Sequence, residues 1–340
     1  MAVHKPFPIL FITSTRIGDA VLSTGLLKSL HDEIPRARFT IAAGPLALPL
    51  FRDTPRLEDL IPMEKQSGGM HWVGLWQKVR RTRWGLVLDV RGSGIAQMVS
   101  TKLKAVYKRP PENAPVEHKV KELAALLKLE HDPPPPHLFI SDDTQGEADA
   151  HLGDGGPILA IAPGANWVGK TWPAERYSVL AARLLRQDGP LPDGRLLLVG
   201  GPDDRRVSQA VRRELPRRRV IDATGEVDLL IVGAMLKRAR LFVGGDSGLM
   251  HMAAAAGAPT LGLFGPSDER RYGPWGPQAR ALRGPRGFEH YRTVDPQLNQ
   301  SLSHMSDLSV ERVLGAAKRL LADTGPETEA VEAETATVDG

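Results

Sequence analysis

The 340-residue chain contains no cysteine. This absence excludes disulfides, thiolate metal sites and a cysteine nucleophile, and it agrees with a reducing cytoplasm. No apolar run reaches the roughly 18 residues that a membrane-spanning helix needs. Only a short apolar stretch occurs near the start before polar residues follow, so we expect no signal peptide.

Three common nucleotide-binding or catalytic patterns are also absent. No GxGxxG motif follows the first apolar strand, which argues against a dinucleotide-dependent oxidoreductase. The chain has neither a Walker GxxxxGK[ST] motif nor an HExxH zinc motif. Its ten histidines are dispersed without the spacing of metal ligands, so we predict that no metal is bound.

The charge of the chain is unevenly distributed. The net charge is +4, but six of the acids lie within residues 322–340, which contain no Lys or Arg. The remaining chain has 44 basic against 34 acidic residues. A basic body favours an anionic partner such as nucleic acid, a phosphorylated metabolite or an acidic membrane surface. A soluble arginine-rich protein without such a partner is the alternative interpretation.

Two successive sets of alternating strands and helices are predicted from the hydrophobic pattern. The first set has strands at 9–13, 39–43 and 85–90 and helices at 17–30 and 117–129. The second has strands at 158–162, 196–199, 220–222, 241–243 and 260–264, and helices at 175–187, 204–214, 228–239 and 249–257. The expected fold is α/β, with two doubly wound parallel sheets that face a cleft.

The predicted domain boundaries follow from composition. A glycine-rich stretch at 153–157 is the expected hinge, so the N-terminal domain covers residues 1–153 and the C-terminal domain covers 157–308. A terminal helix is predicted over 309–321. The acidic tail at 322–340 is too polar to pack, and we expect it to be disordered.

The strongest local motif is Gly-Gly-Asp-Ser-Gly-Leu-Met-His at 244–251, where a strand leads into a helix. Free N–H groups at the start of such a helix bind anions. Ser247 and Gly248 leave room for a phosphate, and His251 lies one helical turn further on. A tight turn in which Asp246 is the helix N-cap explains the same pattern equally well.

A second motif is Pro-Gly-Ala-Asn-Trp-Val-Gly-Lys-Thr-Trp-Pro at 163–173. It follows the first strand of the second half, at the strand end where open α/β sheets bind ligands. Lys170 lies among small and aromatic residues just before a helix and is suited to pairing with a phosphate. An ordinary solvated lysine is the alternative.

A third motif, Thr-Ser-Thr-Arg-Ile-Gly-Asp at 13–19, also connects a strand to a helix. In the first helical turn the Asp19 carboxylate is stabilised by the helix dipole, which is enough to explain its presence. The same carboxylate is also suited to act as general base for an acceptor hydroxyl.

One helical stretch has two interpretations. Its apolar face, followed by basic residues, favours packing in the core; a basic and aromatic surface near lipid headgroups or an anionic acceptor is the alternative. The residues concerned are Trp72, Leu75, Trp76, Val79, Arg80, Arg81, Arg83 and Trp84.

In combination, these motifs resemble the heptosyltransferases of lipopolysaccharide core assembly, glycosyltransferase family 9. The resemblance extends from about Ile9 to Leu321. It rests on the segments at 14–24, 163–177 and 245–251, on Leu-Phe-Gly-Pro-Ser-Asp at 263–268 and on Gly-Pro-Trp-Gly at 273–276. The chain departs from the family pattern at Gly25, where many members have proline, and in its acidic tail.

The resemblance implies a GT-B fold, with the acceptor in the N-terminal domain and the nucleotide sugar in the C-terminal domain. It implies an inverting transfer, without a metal, from ADP-heptose to a lipid-linked core sugar. The implied partners are this donor, an anionic lipid-linked glycan and the inner-membrane surface, with no nucleic acid. The implied location is the cytoplasm, at the cytoplasmic face of the inner membrane.

The resemblance also implies roles for individual residues. Asp19 matches the catalytic base, and Lys170 matches a catalytic residue that offsets charge on the leaving diphosphate. Arg16 and Gly18 are the implied acceptor-binding residues. The implied donor-binding residues are Gly164, Thr171, Asp246, Ser247, Gly248 and His251. A different nucleotide-sugar donor is the main alternative, followed by a sugar-nucleotide epimerase and a catalytically silent binding protein.

Overall fold

The computed structural model describes residues 5–111, 113–294 and 303–325. Its contacts divide the chain into two units, Met1–Gln145 with Asp228–Leu230, and Gly146–Val227 with Ile231–Gly340. The division falls within a helix, α6 (Asp142–Leu152), ahead of the glycine-rich stretch that the sequence predicted as the hinge. No helix in the described part of the chain is long and apolar enough to span a bilayer.

The first unit contains a five-stranded parallel sheet with the order β3-β2-β1-β4-β5. The strands are β1 (Phe7–Ile12), β2 (Ala37–Ala43), β3 (Leu57–Pro62), β4 (Trp84–Asp89) and β5 (Thr101–Val106). The helices are α1 (Ile17–Leu22), α2 (Thr24–Glu33), α3 (Met70–Val79), α4 (Ile95–Met98) and α5 (Lys119–Ala124), before α6. The predicted parallel sheet is confirmed, with β1 at its buried centre.

The helix that the sequence predicted over residues 17–30 is interrupted at Ser23. The Ser23 hydroxyl donates to the Ala20 carbonyl at 2.7 Å and lies 2.7 Å from the Thr13 hydroxyl at the end of β1. A buried serine that bonds the preceding helical turn competes with regular helix geometry. The chain therefore forms two helices, and α1 is short and fixed against the end of β1.

Gly25, the departure from the family pattern, packs against the backbone of a run of four prolines at 133–136. A Cβ atom at this position would overlap the carbonyl oxygens of Pro134 and Pro135. The neighbouring Thr24 hydroxyl accepts a hydrogen bond from the His137 N–H at 2.8 Å. The proline run thus lies directly on α2, and this contact requires glycine.

Replacing Gly25 with alanine is therefore expected to destabilise the fold by about 1–3 kcal/mol, the usual cost of overpacking. Gly74→Ala in α3 is the matched control, because a Cβ there meets no atom within 4 Å and alanine favours helix. Thermal unfolding of the two variants checks the prediction. Equal melting temperatures would contradict the packing argument.

The second unit contains a six-stranded parallel sheet with the order β11-β10-β9-β6-β7-β8. The strands are β6 (Ile158–Ala162), β7 (Arg195–Leu198), β8 (Val220–Asp222), β9 (Ala239–Gly245), β10 (Thr260–Phe264) and β11 (Ala279–Arg283). The helices are α7 (Ala174–Leu184), α8 (Arg205–Val211), α9 (Leu229–Lys237), α10 (Gly248–Ala255), α11 (Glu269–Tyr272), α12 (Phe288–Val294) and α13 (Val310–Asp323).

The terminal helix α13 packs its apolar face into the core of the second unit, through Val313, Ala317 and Leu320. It continues past the predicted end at Leu321 to Asp323, so residues 322 and 323 are helical and do not belong to the predicted tail. The Arg240 guanidinium explains the difference, since it donates to the Leu321 carbonyl at 2.8 Å and to the Thr324 hydroxyl at 2.9 Å. The rest of the tail, 326–340, lies outside the described residues.

Candidate active site

Two of the predicted loops meet at the carboxyl edge of the second sheet. Strands β6 and β9 are neighbours, with Ala162 paired to Gly244, so the loops that follow them are adjacent. Lys170 Nζ lies 2.5 Å from Asp246 Oδ2. The Lys170 carbonyl approaches Gly245 so closely that an added Cβ would lie 3.2 Å from it. The structure therefore brings Lys170 and Asp246 together as a hydrogen-bonded ion pair.

The charge state of this pair follows from its surroundings. Burial acts to raise the pKa of Asp246, whose side chain is 11% exposed. The positive charge and hydrogen bond of Lys170, together with the charge of His251, outweigh burial and leave the pKa of Asp246 lowered. His251 Nε2 lies 4.0 Å from Asp246 Oδ1. Asp246 is thus an ionised carboxylate that holds the Lys170 ammonium in place.

The alternative in which Asp246 caps the following helix is wrong. Helix α10 begins at Gly248, its N-cap is Ser247, and the Asp246 carboxylate is directed to Lys170 instead. The Ser247 hydroxyl is buried and has no hydrogen-bond partner within the described residues. A buried, unpaired hydroxyl beside the free N–H groups of a helix start is a polar cradle that suits a phosphate.

Gly164 and Thr171 belong to the loop that carries Lys170. A Cβ atom at Gly164 would overlap the Asp204 carboxylate, so glycine is required for this contact. The Thr171 hydroxyl lies 3.5 Å from the Trp167 carbonyl, within its own loop. The structure therefore places Gly164 and Thr171 on the same loop as Lys170, and the Thr171 hydroxyl faces the backbone of this loop at Trp167.

Asp204 belongs to an acidic pair, Asp203-Asp204, that the sequence suggests only as a helix cap, and the structure also places it against the loop that carries Lys170. Its carboxylate accepts a hydrogen bond from the Gly201 N–H at 2.9 Å and contacts the backbone at Gly164 and Gly200. Burial raises its pKa, and the neighbouring Asp203 charge raises it further. The signal in the sequence is Gly-Gly-Pro-Asp-Asp directly after a buried strand, at the ligand-binding end of the sheet.

Two aromatic residues after the loop hold it in position. The Trp172 indole N–H and the Arg176 guanidinium both donate to the Leu308 carbonyl, at 2.8 Å and 2.7 Å. Trp172 also packs edge-on against the fully buried Tyr177, with ring centroids 4.7 Å apart. These contacts anchor the Lys170 loop to the segment before α13, so the ammonium is presented from a rigid support.

Asp19 lies in the first unit, in the first turn of α1 and just beyond the end of β1. It is half-buried, and its carboxylate has no hydrogen-bond or ion-pair partner among the residues that the structure describes. Arg16, the exposed N-cap residue, and Gly18 lie beside it on the same turn. The structure thus places a carboxylate without a protein partner among the described residues at the end of β1, next to both residues predicted to bind the acceptor.

A second carboxylate at the same edge was missed. Strand β4 pairs with β1, with Asp89 opposite Ile12. The Asp89 carboxylate is fully buried and accepts from the Arg91 N–H at 3.0 Å, the Ser93 N–H at 2.8 Å and the Ser93 hydroxyl at 2.7 Å. Asp89 therefore shapes the loop beside Asp19. The sequence signal is an acid that ends a buried strand before Arg-Gly-Ser-Gly.

No group of three or more His, Asp or Glu side chains that could hold a metal ion occurs in residues 5–111, 113–294 and 303–325. The two candidate sites instead offer an ion pair and a cradle of N–H and hydroxyl groups in the second unit, and a carboxylate in the first. Two doubly wound parallel units with polar loops at their strand ends define the class of two-domain α/β proteins with GT-B architecture.

Comparisons with known proteins give the family. The model of glycosyltransferase family 9 (heptosyltransferase) matches residues 75–299, and the chain belongs to this family. The lipopolysaccharide heptosyltransferase 2 of Salmonella typhimurium is 25% identical over 359 residues, which cover 93% of this chain and 99% of the relative.

Solved structures agree on the fold. A family 9 glycosyl transferase from Veillonella parvula has a TM-score of 0.76 at 21% identity, covering 95% of this chain and 100% of that one. The ADP-heptose lipopolysaccharide heptosyltransferase II of E. coli has a TM-score of 0.72 at 22% identity, covering 93% of this chain and 99% of that one. The predicted GT-B fold is confirmed.

Proposed function

We propose that this enzyme transfers heptose, with inversion and without a metal, from ADP-heptose to a lipopolysaccharide core or another lipid-linked glycan. The Lys170–Asp246 pair beside the unpaired Ser247 hydroxyl is the observation that carries this proposal. Family membership and the likeness to lipopolysaccharide heptosyltransferases support the choice of sugar and acceptor.

In this proposal the second unit binds the donor. Breaking the glycosidic bond places negative charge on the departing nucleoside diphosphate, and that charge has to be offset where it develops. The Lys170 ammonium, held by Asp246, supplies a cation. The Ser247 hydroxyl and the backbone N–H groups from Gly248 onward supply uncharged hydrogen-bond donors to the diphosphate, at the positive end of the α10 dipole. His251, Gly164 and Thr171 complete the proposed donor site.

The first unit would bind the acceptor. Asp19 takes the proton from the acceptor hydroxyl as that oxygen attacks the anomeric carbon on the face opposite the diphosphate, which inverts the configuration. Arg16 and Gly18 are the proposed acceptor contacts, and the exposed Arg16 guanidinium suits an anionic glycan. A lipid-linked acceptor requires the reaction to take place at a membrane surface, and we propose the cytoplasmic face of the inner membrane.

A panel of nucleotides tests the donor. Isothermal titration of the purified protein with ADP, UDP, GDP and CDP is expected to show the tightest binding for ADP. ADP-heptose hydrolysis in the presence and absence of acceptor then separates donor use from simple nucleotide binding. Preference for UDP would replace ADP-heptose with another nucleotide sugar while leaving the glycosyltransferase assignment in place.

Heptose transfer is expected to persist in excess EDTA, because Lys170 and the start of α10 carry the charge-offsetting role that a divalent cation has in other enzymes. The measurement is the initial rate of ADP release before and after chelation and dialysis. A loss of rate that Mg²⁺ or Mn²⁺ restores would contradict the metal-free mechanism.

A further inference from the structure

One stretch of the first unit is strongly basic. Between Lys65 and Arg109 there are ten Lys and Arg residues and a single acid, Asp89. All ten cations are exposed, and none forms an ion pair with a carboxylate in the described part of the chain. Asp89 is fully buried and bonded to its own loop, so it does not offset this charge at the surface.

Apolar side chains lie on the same stretch. Leu75 and Val79 of α3 are buried, as the core interpretation predicted. Met70 and Val73 of the same helix are 56% and 43% exposed, and Met98 at the end of α4 is 59% exposed. Exposed apolar side chains among unpaired cations are the composition of a membrane-surface element rather than of a solvated face.

Two tryptophans connect these elements. Trp72 and Trp76 are partly buried against the core. The Trp76 indole N–H donates to the Met98 carbonyl at 3.2 Å, which fixes α3 to α4. The Arg80 guanidinium lies 5.2 Å from the centre of the Trp76 ring. Tryptophans with one apolar side and one polar side are enriched at membrane interfaces.

The edge strand β5 extends the same surface. Lys104 is paired in register with Val87, whose side chain belongs to the core cluster under α3. Alternation along a strand places Lys102 on the same side as Lys104, and Leu103 on the opposite side. We define the basic face as α3, α4 and the side of β5 that carries Lys102 and Lys104.

We propose that the basic face docks the protein on an anionic phospholipid bilayer. This proposal rests on the proposed function, because a lipid-linked acceptor has to be reached at a membrane surface. The unpaired cations attract anionic headgroups, and the attraction is weakened by salt. Met70, Val73 and Met98 insert among the headgroups, and the tryptophans lie at the boundary between headgroups and chains.

Co-sedimentation of the full chain with vesicles tests the docking. We expect binding to vesicles of phosphatidylcholine with phosphatidylglycerol, little binding to phosphatidylcholine alone, and release by high salt. Lys102→Glu with Lys104→Glu is expected to weaken binding to anionic vesicles at least tenfold. Met70→Ser with Val73→Ser is expected to weaken binding at all salt concentrations, because it removes the apolar contribution.

The matched control is Arg206→Glu with Arg213→Glu, which makes the same charge change at two exposed arginines of the second unit. ADP affinity and melting temperature are measured for every variant, so a folding defect or a failure of donor binding is recognised separately. The docking proposal would be overturned if the wild-type protein did not bind anionic vesicles. It would also be overturned if the control lost as much binding as the Lys102→Glu, Lys104→Glu variant. If the wild-type protein did not bind ADP, the proposed function would be overturned instead.

Discussion

Asp19→Asn is expected to slow heptose transfer by about 10²–10⁴-fold, the usual cost of removing a general base. The substitution keeps the size of the side chain and its place in the first turn of α1, but the amide cannot accept the acceptor proton. ADP affinity is expected to change little, because the proposed donor residues belong to the other unit. The measurements are turnover with saturating substrates and ADP titration.

The control for this substitution is Asp59→Asn, which removes the same charge from an exposed residue of β3. If Asp19 served only to stabilise the helix dipole, its replacement would cost about 0.3–1 kcal/mol of folding free energy and leave turnover intact. A variant that melts at a lower temperature but transfers heptose at the wild-type rate would therefore sink the general-base assignment.

Lys170→Ala is expected to reduce both ADP affinity and turnover. A lost hydrogen bond between charged groups costs about 1.5–3 kcal/mol, which corresponds to roughly 10- to 150-fold. The structure adds a second effect, because the largely buried Asp246 carboxylate loses its partner. The melting temperature is expected to fall as well, since an unpaired buried charge destabilises the fold.

A double-mutant cycle separates these two effects. Asp246→Asn removes the carboxylate, so Lys170→Ala in that background no longer leaves a buried charge without a partner. The stability loss is expected to shrink in the double variant while the loss of ADP affinity persists. Lys170→Arg tests geometry, because it keeps the charge on a longer and planar group. Unchanged ADP affinity in Lys170→Ala would show that Lys170 is not a donor contact.

Much of the fold was predictable because the central strands carry their signal locally. Strands β1 and β6 are continuous apolar runs, and β4 and β10 are apolar except for one polar residue at an end, as strands buried on both faces tend to be. The strands that the hydrophobic pattern missed, β3, β5 and β11, lie at or near sheet edges and expose charged residues. Such strands form because a neighbour offers hydrogen bonds, and a single sequence does not show that neighbour.

The candidate site shows the same limit. The motifs correctly located the Lys170 and Asp246 loops, because each follows a buried strand and precedes a helix. The pairing of these two side chains depends on β6 lying beside β9, which is a property of sheet order rather than of either motif. Asp89 was missed, and the contact of Asp204 with Gly164 was not predicted, for a related reason. Their roles come from the backbone groups that they contact, and those groups are set by the fold.

The most direct test of the central claim is transfer to defined acceptors. The purified protein is incubated with ADP-heptose and with lipopolysaccharide from strains truncated at successive core positions, and the acceptors are analysed by mass spectrometry. We predict that one truncated acceptor gains a single heptose with the release of one equivalent of ADP, and that Asp19→Asn abolishes most of this gain. No mass change in any acceptor, or equal transfer by the Asp19 variant, would contradict the account.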